Sequence, residues 1–241
     1  MYLFLARVAT QMLVILTVTL LGLGFPYTPT QVGLTLFTVG VLTFSLTLWA
    51  RPTPTRKDLL ISLARFVIPV GLVTAGFATA VYTILYQLVS TGLASAGSQS
   101  AEGIALFERS TGLTYGVDAD FLTASATLGA QSGLSVFVSV TAFALILLLE
   151  PPARLFTAWV PVTDDRRPVL LAAGLFVAFA LVLAFPVTQA YFGLTAPDPP
   201  VIWVAAPAVV LWFGTLSLVL RFQVLERTLG LLRPDPEIVP A

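Results

Sequence analysis

A chain of 241 residues that is 57% hydrophobic and only 10% charged is too apolar for a water-soluble domain, where about a quarter of residues carry charge. Twelve basic and twelve acidic residues cancel, so no basic surface marks the chain as a nucleic-acid binder. With neither Cys nor His, disulfides, thiolate ligands and imidazole chemistry are excluded. The solvent this composition implies is a lipid bilayer, whose core of about 30 Å takes about 20 apolar residues per helical crossing.

Six apolar runs meet that length in chain order. The first covers residues 5–24; no A-x-A-like cleavage site follows it, so it is expected to be a retained crossing. The short, uncharged turn Phe25-Pro26-Tyr27-Thr28-Pro29 leads into the second, 31–49. The polar, Pro-punctuated segment Arg51 to Asp58 reads as a loop in water. The third crossing is expected at 66–89, with Pro69 in its first turns, where a missing amide proton matters little. Residues 90–125 form an extracytoplasmic loop rich in Gly and Ser, with one short helix expected around Glu102 to Arg109. The fourth crossing, 126–149, stops at Glu150-Pro151-Pro152. The fifth, 169–192, carries a kink at Pro186. The sixth, 201–222, is followed by a cytoplasmic tail, 223–241. Trp49, Trp159 and Trp203 fall at expected interfaces, whereas Trp212 is mid-span and packs between helices or faces lipid.

The basic residues give the orientation. Arg7 precedes the first run, Arg51, Arg56, Lys57 and Arg65 follow the second, Arg154, Arg166 and Arg167 follow the fourth, and Arg221, Arg227 and Arg233 follow the sixth. Only Arg109 lies in the opposite set of gaps, beside Glu102, Glu108, Asp118 and Asp120. By the positive-inside rule this is a multi-pass protein of the cell membrane with an even number of spans. The expected fold is an all-α integral membrane protein, a single domain over 1–241. It is a bundle of six transmembrane helices with N- and C-termini cytoplasmic. Eleven Arg against one Lys point to a GC-rich prokaryotic genome.

No Asp, Glu, Lys or Arg lies well inside any run. Arg7, Arg65 and Glu150 stand at cytoplasmic edges, where long stems let charges reach water. A carboxylate proton relay is therefore not expected. Ser and Thr hydroxyls are expected to bond back to their own helix or to glue helices together. Gln is costlier to bury, since its amide carries donors and an acceptor, which makes Gln11 and Gln131 the better polar candidates. Helix packing accounts for them as well. Gly22, Gly24, Gly33 and Gly40 crowd the first hairpin and favour close helix approach. Gly40 also suits a local unwinding that frees carbonyls for a cation.

The first hairpin carries more specific information. Leu21-Gly22-Leu23-Gly24-Phe25-Pro26-Tyr27-Thr28-Pro29-Thr30-Gln31, then Leu36-Phe37-Thr38-Val39-Gly40 and the Arg51-Pro52 exit, resembles the fifth-to-sixth-helix hairpin of P-type cation-transporting ATPases. The run from Arg65 to Leu72 is similar to the seventh helix of a prokaryotic branch, and Ala130-Gln131-Ser132 to the opening of the eighth. The resemblance implies the C-terminal transmembrane region of such a pump, helices five to ten, contributing part of a cation path. The phosphorylation and nucleotide-binding motifs of the family are missing from the sequence. The chain is thus not catalytic by itself and binds no cofactor. A separate chain carrying the ATPase domains would supply the energy, and the bilayer is the other partner. Aligned on the turn, the family's fifth-helix carboxylate falls at Gln11, and Thr35 to Gly40 contains neither Asn nor Asp. The resemblance makes Gln11, Thr35, Thr38 and Gln131 the candidate oxygen ligands for a transported cation. Two other readings stand beside it. One is a stand-alone structural or regulatory membrane protein that kept the fold and lost transport. The other is a six-helix permease for a small neutral solute.

Overall fold

The computed structural model describes residues 2–35, 40–49, 59–95, 101–152, 157, 165–194 and 199–223. Among these the only regular structure is helical: α1 Tyr2–Leu20, α2 Pro29–Thr35, α3 Leu42–Trp49, α4 Leu59–Ala94, α5 Ala101–Thr111, α6 Phe121–Leu149, α7 Arg167–Ala184, α8 Pro186–Phe192 and α9 Pro199–Arg221. Five helices, α1, α4, α6, α7 and α9, are long and apolar enough to cross a membrane. The expected second crossing is described as two short pieces, α2 and α3, the latter entered through a π-helical turn at Gly40–Val41. Thr38, the loop at 51–58, Trp159 and the tail beyond Gln223 lie outside the described residues.

Local chemistry sets the helix ends. α1 stops at Leu20 because Gly22 adopts a left-handed φ of 69°, which lets the Leu23 amide return to the Val18 carbonyl at 3.3 Å. α2 opens with a reciprocal cap: the Thr28 amide donates to Gln31 Oε1 (3.2 Å) and the Gln31 amide to Thr28 Oγ1 (3.4 Å). α7 ends at Ala184, two residues before Pro186, whose ring removes the amide that would bond the Val182 carbonyl. Thr188 Oγ1 takes over that carbonyl at 2.7 Å, and Gln189 Nε2 donates to the Leu183 carbonyl. The expected kink is thus a full break, with the freed carbonyls satisfied by side chains as hydrocarbon requires. Pro69 differs from expectation. α4 begins at Leu59, so this proline sits in the helix interior and not in the first turns. The expected crossing began after Arg65, whereas the helix takes in the apolar stretch from Leu59 as well.

Packing fixes the topology. Tyr2 meets Ser62 and Phe66, and Thr17 meets Thr79 across a 2.8 Å hydroxyl pair, so α1 and α4 run parallel. Gly129 and Gly133 on α6 face Val89 and Leu85 in reverse order, so α6 is antiparallel to α4. α9 runs alongside α6, with Val201 near Gly133 and Trp212 reaching Thr74 farther along. The chain after α8 returns to α2, where Gln31 Nε2 donates to the Gly193 carbonyl at 3.3 Å. α6 is the central helix and buries residues all round its circumference, as a helix enclosed by others must. The outer helices bury one stripe and expose the other: Phe4, Met12, Leu16 and Leu20 on α1, Phe176, Val177 and Leu181 on α7. A monomeric soluble protein does not expose so continuous an apolar belt.

This topology separates charge. One end of the bundle gathers Arg65, Arg166, Arg167 and Arg221 with Glu150 and Asp165. The other gathers Glu108, Asp118 and Asp120 with Arg109. At that acidic end α5, matching the expected short helix, lays Phe107 against Leu93 of α4 and Phe121 of α6 in a small cluster of its own. Tyr115 closes it, its ring edge-on to Phe121 and its hydroxyl donating to the Leu93 carbonyl at 3.0 Å.

Candidate functional site

The buried stripe of α1 runs Leu3, Ala6, Arg7, Thr10, Val14, Val18. Its spacing of three and four residues places Arg7 on the inner face, opposite the exposed Phe4, Met12 and Leu16. The Arg7 side chain is only 9% exposed. It crosses to α6, where Nη1 donates to the Val138 carbonyl at 3.1 Å. Nε is buried and has no hydrogen-bond partner among the described residues, and no described carboxylate pairs with the guanidinium. This corrects the expectation that Arg7 stands at the edge and reaches water. α4 and α6 extend past the start of α1 and enclose it, and Tyr2, Ser62 and Phe66 close the gap below. The guanidinium therefore stays within the bundle, where its described acceptor is a backbone carbonyl of α6.

Around this group α1, α3, α4 and α6 leave a cavity of about 20 Å³, room for one water-sized occupant. Its polar lining is Arg7, Thr10, Thr43, Thr74 and Thr141, with apolar side chains such as Leu42 and Leu145 filling the remainder. Thr10 Oγ1 donates to the Ala6 carbonyl at 2.8 Å, Thr43 Oγ1 to Gly40 at 3.3 Å and Thr141 Oγ1 to Val138 at 3.1 Å. Thr74 Oγ1 instead accepts from Trp212 Nε1 at 3.0 Å. Trp212 is fully buried, so of the two sequence expectations for it, packing between helices is what the structure shows.

A second polar cluster lies toward the acidic end. Here the turn after α1 folds against the bundle and its carbonyls are taken by side chains of the long helices. Gln131 Nε2 on α6 donates to the Phe25 carbonyl at 2.7 Å, and the Tyr82 hydroxyl on α4 donates to the Leu23 carbonyl at 3.0 Å. Leaving such a carbonyl unsatisfied costs about 1–3 kcal/mol, so Gln131 has a structural role in fixing the hairpin. The Tyr27 ring is half-buried but its hydroxyl oxygen is fully so, with no partner among the described residues. Burial pushes this phenol above the usual tyrosine value, and the field of Arg7 offsets part of the rise, so the group stays neutral at physiological pH.

The residues expected to form a cation path are placed as follows. Gln131 donates Nε2 to the Phe25 carbonyl, a bond that does not involve its Oε1. Gln11 is half-buried on α1, one turn beyond Arg7, and Thr10 rather than Gln11 is among the residues lining the cavity. Thr35 ends α2 and its side chain lies outside what is described, as does all of Thr38. Among the described residues no cluster of carboxylates could hold a metal ion. Sequence reasoning gave the threonines that line this cavity no role beyond helix packing, and it missed the inward turn of Arg7. The signal that would have found Arg7 was available in the helical phase of Leu3, Ala6, Thr10 and Val14.

No protein-family model, curated protein or solved structure matches the chain. The likeness of the first hairpin to P-type ATPases therefore rests on the quoted residues alone.

Proposed function

We propose that the chain is a multi-pass membrane protein of structural or regulatory type, with six crossings and both termini cytoplasmic, and that it does not itself conduct cations. The observation that carries this reading is Arg7. A fixed positive charge in the polar-lined cavity between α1, α3, α4 and α6, with no described acid beside it, repels a cation from the place where a path through α1, α4 and α6 would run. Gln131, one of the four expected ligands, gives its amide nitrogen to the hairpin turn. The orientation follows from the basic end of the bundle facing the cytoplasm. The chain has no Cys, so single substitutions report directly. Asp118→Cys is expected to react with an impermeant thiol reagent in intact cells, and Arg166→Cys only after the membrane is opened. The reverse labelling would overturn the orientation.

A second reading keeps the P-type likeness, with a separate ATPase chain driving a cation through this module. The π-helical turn at Gly40–Val41 favours it, since such turns recur at functional sites. Affinity purification from native membranes separates the two. The structural reading expects the chain without any cation-stimulated ATPase. Co-purification of an ATPase that requires one cation, and is lost when the chain is deleted, would establish the pump reading in its place.

A further inference from the structure

We infer that the Arg7 cavity is a binding site for a single small monovalent anion of halide size. The inference rests on the bundle itself, whichever function the whole chain serves. Three donors converge on the cavity and have little else to do. Arg7 Nε is buried without a partner among the described residues, while Nη1 is anchored on Val138 and so fixes the guanidinium plane. Thr74 Oγ1 has one lone pair filled by the Trp212 indole, an obligate donor. That bond leaves the Thr74 proton to be directed elsewhere, and Thr74 lines the cavity. Thr141 Oγ1 shares its acceptor: the Val138 carbonyl takes both Thr141 and Arg7 at 3.1 Å. A hydroxyl that competes with a guanidinium for one carbonyl is free to rotate its proton toward an ion.

Charge and size then select the occupant. Water satisfies hydrogen bonds but leaves a full positive charge uncompensated in a low-dielectric interior, which is the costlier deficit. A cation adds to that charge. The cavity holds about one water-sized occupant, which leaves no room for a phosphate or a lipid headgroup and makes chloride, only a few tenths of an ångström larger in radius than water, the closest anion in size. Thr10 and Thr43 complete the wall as hydroxyls bonded to their own helices.

The test is equilibrium binding of radioactive chloride to the purified full chain in detergent, with melting temperature followed in parallel. Gluconate serves as the reference anion. Saturable binding near one ion per chain is expected, with bromide competing and acetate failing to compete. Arg7→Met should weaken binding by about 30-fold or more, the loss typical for removing one partner of a buried charge pair. Thr141→Val, which keeps the shape and the charge, should weaken it by about tenfold. Chloride should raise the melting temperature of the wild type and leave that of Arg7→Met unchanged. Absence of saturable binding, or equal binding by wild type and Arg7→Met, overturns the assignment. So does a melting temperature indifferent to the anion, the result for a cavity that holds only water.

Discussion

Arg7→Met is expected to make the protein more stable, by about 1–4 kcal/mol when gluconate is the only anion, the range seen when buried charged groups are replaced by apolar residues of similar volume. Three observations set the sign. The guanidinium is nearly fully enclosed, it has no acidic partner among the described residues, and it makes one described hydrogen bond. That bond contributes about 1.5–3 kcal/mol at most as a charge-assisted contact. The Val138 carbonyl is not orphaned when it goes, because Thr141 Oγ1 still donates to it. Met matches the length of the Arg stem and adapts its rotamers to the space. Thermal unfolding in detergent measures the effect, and the advantage over wild type should shrink as chloride replaces gluconate. A destabilised Arg7→Met would mean that the charge is compensated by a group outside the described residues.

Gly133→Leu is expected to destabilise the bundle by about 1–3 kcal/mol through overpacking, against which the helix-propensity gain of about 1 kcal/mol is the smaller term. A Cβ at Gly133 would run into Leu85, and Leu85 has no exposed surface through which to move aside. The contact lies where α4 and α6 cross at closest approach, with Gly129 against Val89 one turn away. Leu85→Ala in the same chain should recover most of the loss, a coupling that a double-mutant cycle isolates. Gly174→Leu is the control: a side chain there meets nothing within 4 Å, so the propensity gain should stand alone. Equal effects at the two positions would remove the close-packing argument.

Hydropathy made the crossings legible because a bilayer demands length and apolarity, and α1, α4, α6, α7 and α9 satisfy both. It could not see local departures from α-helical geometry. The second run reads as continuous oil, yet Gly40–Val41 takes a π turn. Nor could it place Pro69: Arg65 marked the expected water edge, yet the helix starts earlier, at the equally apolar Leu59, Leu60, Ile61 and Leu63. Charge counting assigned Arg7 to the water edge because a long stem usually permits that escape. Whether the stem points outward depends on the phase of the helix and on which neighbours overhang it, and the second of these is tertiary information. Gln11 and Gln131 stood out in the sequence as expensive to bury, but the partner of Gln131, the Phe25 carbonyl, is set by where the chain turns.

The 36 residues of α4 make a rod about 54 Å long, against roughly 30 Å of hydrocarbon. A substantial length must therefore stand clear of the acyl chains, and its last turns, where Thr91 and Ser95 hydroxyls bond back to the helix, suit an aqueous setting. The knot of Leu93, Phe107 and Phe121 then belongs to a different thermodynamic world from the bundle beneath it. Expulsion of water holds that outer knot together, whereas the inner helices gain nothing from leaving one oil for another. Cooling and urea should loosen the cap while the stem below keeps its shape, so one polypeptide carries two melting behaviours stacked end to end.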